Sequence, residues 1–131
     1  MADQPPNVPG GPHLRTVAMP RDANPGGDVF GGWTVSQMDL AGGSFAARRA
    51  GGRVATVSIE AMTFLRPVSI GDEVSCYCTV ADEGETSVTV KIETWARARA
   101  TTESESEKVT EGEFKFVAID DQGKPRPISG S

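Results

Sequence analysis

The sequence predicts an α+β domain in which a curved antiparallel β-sheet wraps around one long α-helix. Residues 34–50 place apolar side chains at helical spacing, and they do so on more than one side of the helix, as expected of a buried helix. The segments that follow read as strands, most clearly at residues 87–97, where apolar and polar residues alternate as in a strand with one buried face. One buried helix followed by a run of strands is typical of this class.

The elements follow in order along the chain. Residues 1–12 contain four prolines and too little apolar surface to offset the entropy of ordering, so we predict a disordered tail there. We place the domain at residues 13–128 and a short C-terminal tail at 129–131. Residues 14–19 predict a first strand, and the glycine-rich residues 20–32 predict a loop that leads into the helix. The later strands are predicted at residues 53–62, 73–81, 87–97 and 108–119.

Composition limits the possible functions. A chain of 131 residues with 37% hydrophobic residues suits one domain with one core. The net charge of −5 argues against nucleic-acid binding, which normally needs a basic face. No segment has the length of a membrane span, and the N-terminus lacks the features of a secretion signal. Cys76 and Cys78 lie on one strand face without disulfide geometry, and free thiols suit a reducing cytoplasm.

Asp39 is the only ionisable residue between Gly31 and Ala47. Helical spacing places it at the edge of the apolar stripe, where desolvation of an unpaired carboxylate is costly. Such a residue is either paired with a structural partner or kept as a general base, and its position alone leaves both alternatives open. The neighbouring Gly42 and Gly43 allow the close approach of a slender ligand, although simple helix packing explains them equally well.

The loop before the helix supplies backbone amides. A helix N-terminus stabilises negative charge, which a carbonyl oxygen acquires in the tetrahedral transition state of acyl transfer. The amides of Gly31 and Gly32 are therefore candidate oxyanion-hole donors, and an ordinary turn is the alternative.

Other catalytic arrangements lack the residues they need. The single histidine, His13, lies where the tail meets the first strand, and no serine has the setting of a hydrolase nucleophile. One histidine and two cysteines on one strand do not supply a zinc site, so we expect hydrolysis without a metal. Six cations at the ends of elements could bind the phosphates of a carrier such as coenzyme A, although solvated charges are the simpler explanation for most: Arg48, Arg49, Arg53, Arg66, Lys124 and Arg126.

Three segments within residues 14–128 resemble the YciA-type acyl-CoA thioesterases: DANPGGDVFGGWTVSQMDLAGG, TVSIEAMTFLRPVSIGD and VTEGEFKFVAIDDQGKPRP. The resemblance implies the hotdog fold and hydrolysis of acyl-CoA, in which CoA belongs to the substrate and no cofactor is needed. It also implies homodimers with shared active sites, which group as trimers of dimers into hexamers. The alternatives are a non-catalytic acyl-CoA-binding sensor or carrier of the same fold, and a hotdog dehydratase, which relies on a catalytic histidine.

The resemblance also assigns site residues. It makes Asn24 and Asp39 a catalytic pair from different subunits, with Asp39 as general base on water or as nucleophile, and with Asn24 orienting the water or the carbonyl. The amides of Gly31 and Gly32 would hold the oxyanion. Eight residues are predicted to line the path of pantetheine and nucleotide: Thr56, Val57, Ser58, Phe64, Arg66, Pro67, Lys124 and Arg126. Acyl-chain preference depends on side-chain positions that the sequence does not supply.

Overall fold

The computed structural model describes residues 4–98 and 106–128. The elements are β1 (Leu14–Val17), a short 3-10 helix (Pro20–Asp22), α1 (Gly31–Ala50), β2 (Val54–Phe64), β3 (Asp72–Glu83), β4 (Ser87–Ala98) and β5 (Glu107–Ala118). The five strands form one antiparallel sheet in the order β1-β3-β4-β5-β2, and α1 packs across all of them. The predicted α+β class, with one long helix against a curved antiparallel sheet, is confirmed.

Some predictions fall on residues that the structure does not describe. These are residues 1–3 of the predicted tail and the predicted C-terminal tail at 129–131; residues 99–105, between β4 and β5, are also outside the described ranges. Residues 4–12 contain neither helix nor strand, although the Gly11 amide donates to the Val8 carbonyl at 3.0 Å.

The helix begins earlier than its apolar pattern predicts. The pattern starts at Thr34, because Gly31 and Gly32 contribute no apolar side chain and glycine favours helices poorly. In the structure the Phe30 carbonyl accepts hydrogen bonds from the amides of Trp33 and Thr34, at 3.1 and 3.4 Å, which closes the first turn at Gly31. The helix ends at Ala50 and is capped by Gly51, whose φ of 74° lies in the left-handed region that glycine adopts without strain.

One face of α1 is buried in the concave side of the sheet. The buried positions recur at helical spacing and are Thr34, Met38, Ala41, Gly42, Ala46 and Ala50. They meet a core cluster that includes Val90 and Ile92 of β4 and Phe114 and Phe116 of β5. The expectation that the helix is buried on several sides does not hold within one chain, since Leu40 is 60% exposed.

Gly42 sets how closely the helix approaches the sheet. A Cβ atom at this position would lie 2.6 Å from Cδ1 of Ile92 and 3.0 Å from the ring of Phe116. No side chain fits at that separation, so the packing of α1 on β4 and β5 depends on a glycine. Gly43 is different, because its Cβ would meet only the Phe116 ring at an ordinary 3.7 Å.

Cys76 and Cys78 are both free and buried beneath the helix. Burial, partly offset by a hydrogen-bond contact with the Thr94 hydroxyl, raises the pKa of the Cys76 thiol to about 11. Burial, together with the neighbouring Cys76, raises the pKa of the Cys78 thiol to about 12. Both thiols therefore stay protonated at neutral pH, and the nucleophilic thiolate form is scarce.

β2 is an edge strand with an irregular backbone. Within the described residues it pairs with β5 alone, and its register shifts between Thr56 and Ser58 and again between Glu60 and Thr63. Ala61, inside the second shift, has a φ of 53°, which is unusual for a residue other than glycine. The strand extends to Phe64, two residues beyond the prediction, because these bulges let pairing resume after each irregular residue.

Within residues 4–98 and 106–128, no helix has both the length and the apolar character needed to cross a membrane.

Replacement of Gly42 by alanine should destabilise the fold by about 1–3 kcal/mol, because the new methyl group overlaps Ile92 and Phe116. The matched variant Gly43→Ala should be neutral or stabilising by up to roughly 1 kcal/mol, because alanine favours the helix and meets no close contact. Urea unfolding followed by circular dichroism measures both. Equal stability of the two variants would contradict the packing described for Gly42.

Neither cysteine should react with a thiol reagent at pH 7.5 in the native protein, because both thiols are buried and protonated. Both should react within minutes in denaturant. Mass spectrometry counts the modified thiols in the native and in the unfolded protein. Rapid native labelling at either position would show that this part of the core opens.

Candidate active site

Asp39 lies on the exposed flank of α1, next to β2. Its side chain is half-buried, and its Oδ1 accepts a hydrogen bond of 2.7 Å from the Thr56 hydroxyl of β2. Among the described residues, Oδ2 of Asp39 has no protein donor, so it stays available to a ligand or water. The carboxylate is thus oriented by one partner and open on its other side.

An open groove begins at this pair and runs between α1 and β2. It encloses about 360 Å³. Its lining is mostly apolar and consists of Asp39, Leu40, Gly43, Ser44, Ala47, Arg53, Val54, Thr56 and Phe116. A carboxylate at the end of an apolar groove is a common arrangement in sites that act on small molecules with an apolar portion.

Asn24 is held in the loop before the helix by a tight turn. Its side-chain oxygen accepts hydrogen bonds from the amides of Gly26 and Asp28, at 2.9 and 3.2 Å, and its own amide donates to the Asp28 carbonyl at 2.7 Å. The side-chain NH₂ group has no partner among the described residues. Asn24 can therefore present two N–H donors to a ligand while its oxygen fixes the loop.

The helix start offers further donors. Gly31 and Gly32 are exposed, and among the described residues their amides have no hydrogen-bond acceptor, as expected for the first turn of a helix. Asp39 is eight residues further along α1, which corresponds to about 12 Å along the helix axis. This separation is too long for one thioester carbon to contact both Asp39 and the first amides of the same chain.

The turn after β2 lies beside this helix start. A second cleft of about 240 Å³ is lined by Val29, Gly31, Thr34, Phe64, Leu65, Arg66, Pro67, Val68 and Thr110. Arg66 is exposed there and forms a loose ion pair with Glu107, with Nε and Oε1 3.8 Å apart. Phe64, Arg66 and Pro67, which the resemblance places on the nucleotide path, thus lie next to Gly31 at the helix start.

Lys124 and Arg126, the other two cations predicted to line the binding path, lie near the opposite end of α1. Arg126 donates from Nη1 to the Ala50 carbonyl at 3.2 Å and from Nε to the Ile119 carbonyl at 3.1 Å, so its guanidinium caps the helix C-terminus. Lys124 lies in the turn after β5 and is exposed. Because Gly31 and Ala50 are separated by about 28 Å along the axis, one chain does not join these cations and Arg66 in one site.

The remaining predicted residues lie on β2. Thr56 contacts Asp39 directly, a role that the assignment to a binding path did not specify. Val57 is the unpaired residue of the first bulge and is 53% exposed, whereas Ser58 is half-buried and pairs with Lys115 of β5. The groove residues Leu40 and Val54 were also missed in the sequence analysis. Helical spacing and strand alternation show which residues share a face, but they do not show where a groove forms between α1 and the edge strand β2.

His13 has a structural environment. Its Nδ1 accepts a hydrogen bond of 3.2 Å from the Cys78 amide, and its ring packs edge-on against Phe45 with centroids 5.0 Å apart. Burial lowers the pKa of His13, and the nearby Arg48 lowers it further. The neutral form that accepts this hydrogen bond is thereby favoured.

Across the described ranges no three metal-binding side chains come together.

Comparison with known proteins finds close relatives over the whole domain. Residues 26–103 match the profile of the thioesterase superfamily. The acyl-CoA thioester hydrolase YciA of Escherichia coli (strain K12) is 51% identical over 124 residues, which cover 93% of this chain and 94% of that protein. A hexameric thioesterase from Yersinia pestis is 45% identical with a TM-score of 0.84, covering 95% of this chain and 100% of the other. A hexameric hotdog-fold thioesterase of Campylobacter jejuni is 42% identical with a TM-score of 0.85, covering 92% of this chain and 91% of the other. The predicted hotdog fold is confirmed.

Proposed function

The chain belongs to the thioesterase superfamily, and within it to the YciA-type acyl-CoA thioesterases, and on this basis we propose that it hydrolyses acyl-CoA to free CoA and a carboxylic acid. The observation that carries the proposal is the Asp39 carboxylate, which the Thr56 hydroxyl orients at the end of an open, mostly apolar groove. The activity named for the Escherichia coli relative matches the chemistry that this carboxylate can perform.

In the proposed reaction Asp39 acts as a general base. Its free Oδ2 accepts a proton from water while the water oxygen attacks the thioester carbonyl carbon. The tetrahedral intermediate then collapses, the bond between carbon and sulfur breaks, and Asp39 returns the proton to the CoA sulfur. The hydrogen bond from Thr56 keeps Oδ1 occupied, which fixes the direction in which Oδ2 points.

We further propose that each site uses two copies of the chain. The amides of Gly31 and Gly32 lie about 12 Å along the helix from Asp39 of their own chain, so a second copy has to bring the oxyanion donors to that carboxylate. Asn24 precedes this helix start by a short loop and therefore accompanies these amides. One copy then supplies Asn24, Gly31 and Gly32, and the other supplies Asp39 with Thr56.

The exposed edge of β2 supports association of two copies. Its outer backbone edge is unpaired within the described chain, and Val57, Ile59 and Phe64 are 53%, 43% and 54% exposed. The strand contains no proline and only one charged residue, Glu60, so apart from its two bulges it lacks the features that usually protect an edge strand. We propose a homodimer joined at this edge and assembled as a trimer of dimers, the size named for the hexameric relatives.

We place this enzyme in the cytoplasm. The free thiols of Cys76 and Cys78 support a reducing compartment, where disulfides are rare.

Asp39→Asn should lower kcat by at least about a hundredfold, because the amide cannot take a proton from water. The matched variant Thr56→Val keeps the shape but removes the hydrogen-bond donor, and it should cost only about three- to tenfold. Free thiol release from a panel of acyl-CoAs measures both. Near-normal turnover by Asp39→Asn would refute the role of Asp39, and binding by the unmodified protein without any thiol release would indicate a non-catalytic acyl-CoA-binding protein.

Mixing inactive Asn24→Ala and Asp39→Asn subunits should restore activity, because each mixed dimer contains one site with both native residues. Random exchange at equal amounts should recover about a quarter of the native sites. The measurement is thioesterase activity after unfolding and joint refolding, with native mass spectrometry to count mixed dimers. Mixed dimers without activity would show that the two residues do not act across an interface.

A further inference from the structure

The groove between α1 and β2 has a defined direction. It starts where Asp39 meets Thr56, and its lining continues along the helix to Ala47 and back along the strand to Arg53. Ala47 lies eight positions beyond Asp39 along the helix, which corresponds to about 12 Å. Three extended residues separate Thr56 from Arg53, which corresponds to about 10 Å. The two walls therefore run together for a similar length away from the carboxylate.

The side chains that line the groove suit the hydrocarbon chain of an acyl group better than the pantetheine arm of CoA, which contains amides. Leu40, Val54 and Phe116 supply apolar surface, and Leu40 is 60% exposed in the single chain. Between the Asp39–Thr56 pair and Arg53, the lining includes one polar side chain, that of Ser44. The pantetheine arm of CoA carries amides that need hydrogen-bond partners, whereas an acyl chain needs only the removal of its surface from water.

Gly43 occupies the middle of this groove for no evident packing reason. Unlike Gly42, it has room for a Cβ atom, since the nearest atom would be a carbon of the Phe116 ring at 3.7 Å. A glycine inside a helix costs roughly 1 kcal/mol relative to alanine. What the missing side chain provides is space inside the groove itself.

We propose that this groove holds the hydrocarbon part of the acyl group and that Gly43 determines how long a chain it accepts. The inference rests on the proposed hydrolysis at Asp39 and adds the substrate portion and a specificity residue. Gly43 lies four residues beyond Asp39, about 6 Å along the axis. An extended chain advances roughly 1.2 Å per bond, so a side chain at Gly43 meets the acyl chain about five bonds from the reacting carbon.

The test is a series at one position, Gly43→Ala, Gly43→Val and Gly43→Leu, assayed on acyl-CoAs with 4, 8 and 12 carbons. The ratio of kcat/KM for the 12-carbon substrate to that for the 4-carbon substrate should fall progressively along the series, by at least about tenfold for Gly43→Leu. The loss should already be evident with 8 carbons. Circular dichroism and thermal unfolding confirm that each variant is folded.

Ala47→Leu is the matched variant, because it narrows the same groove one turn further from Asp39. In this variant the ratio of kcat/KM for the 8-carbon substrate to that for the 4-carbon substrate should stay within about twofold of the native ratio. The ratio for the 12-carbon to the 4-carbon substrate should fall. A uniform loss at every chain length in the Gly43 series would overturn the inference, because it would place pantetheine in the groove. An unchanged profile in both series would also overturn it.

These outcomes are separate from failure of the proposed function. If the native protein hydrolyses none of the acyl-CoAs, the proposed function is wrong. If it hydrolyses them and Gly43 leaves the chain-length profile unchanged, only the assignment of the groove is wrong.

Discussion

The close approach of α1 to the sheet at Gly42 is the constraint on which the rest of the structure depends. Ile92 and Phe116 occupy the space where a side chain would be, so the helix lies deep in the concave face of the sheet. This depth buries Met38 and Ala46 and leaves the flank that carries Asp39 and Leu40 beside the edge strand. A bulkier residue at Gly42 would move that flank and, with it, the candidate catalytic carboxylate.

β2 combines several functions because it is the edge strand nearest to that flank. Thr56 at its first bulge orients Asp39, Val54 lines the groove, and the exposed Val57 and Ile59 face outward from the single chain. A regular strand would present side chains in strict alternation, whereas each bulge changes which side the following residue faces. The irregular backbone therefore lets one strand serve the site and the proposed dimer contact together.

The length of α1 explains why a single copy carries only part of the proposed site. Along one rigid helix, the amide donors of Gly31 and Gly32 lie at the start and the carboxylate of Asp39 lies near the middle. Arg126, which follows β5, caps the far end. A rigid helix cannot fold back to bring its levels together. Oligomerisation solves this problem if the start of one helix is placed beside the middle of another, and the proposed two-copy site rests on this geometry.

The sequence alone determined the fold class, because helical spacing in α1 and strict alternation in β4 are local patterns that burial of one face imposes. It also singled out Asp39, which is the only charge in an otherwise uncharged stretch, and the resemblance supplied Asn24 as its partner. Only the tertiary structure decided that Thr56 is the residue that holds Asp39, that Arg126 caps the helix, and that Gly42 and Gly43 have different roles. Those properties depend on which atoms meet across elements far apart in the chain, and no local periodicity records such distances.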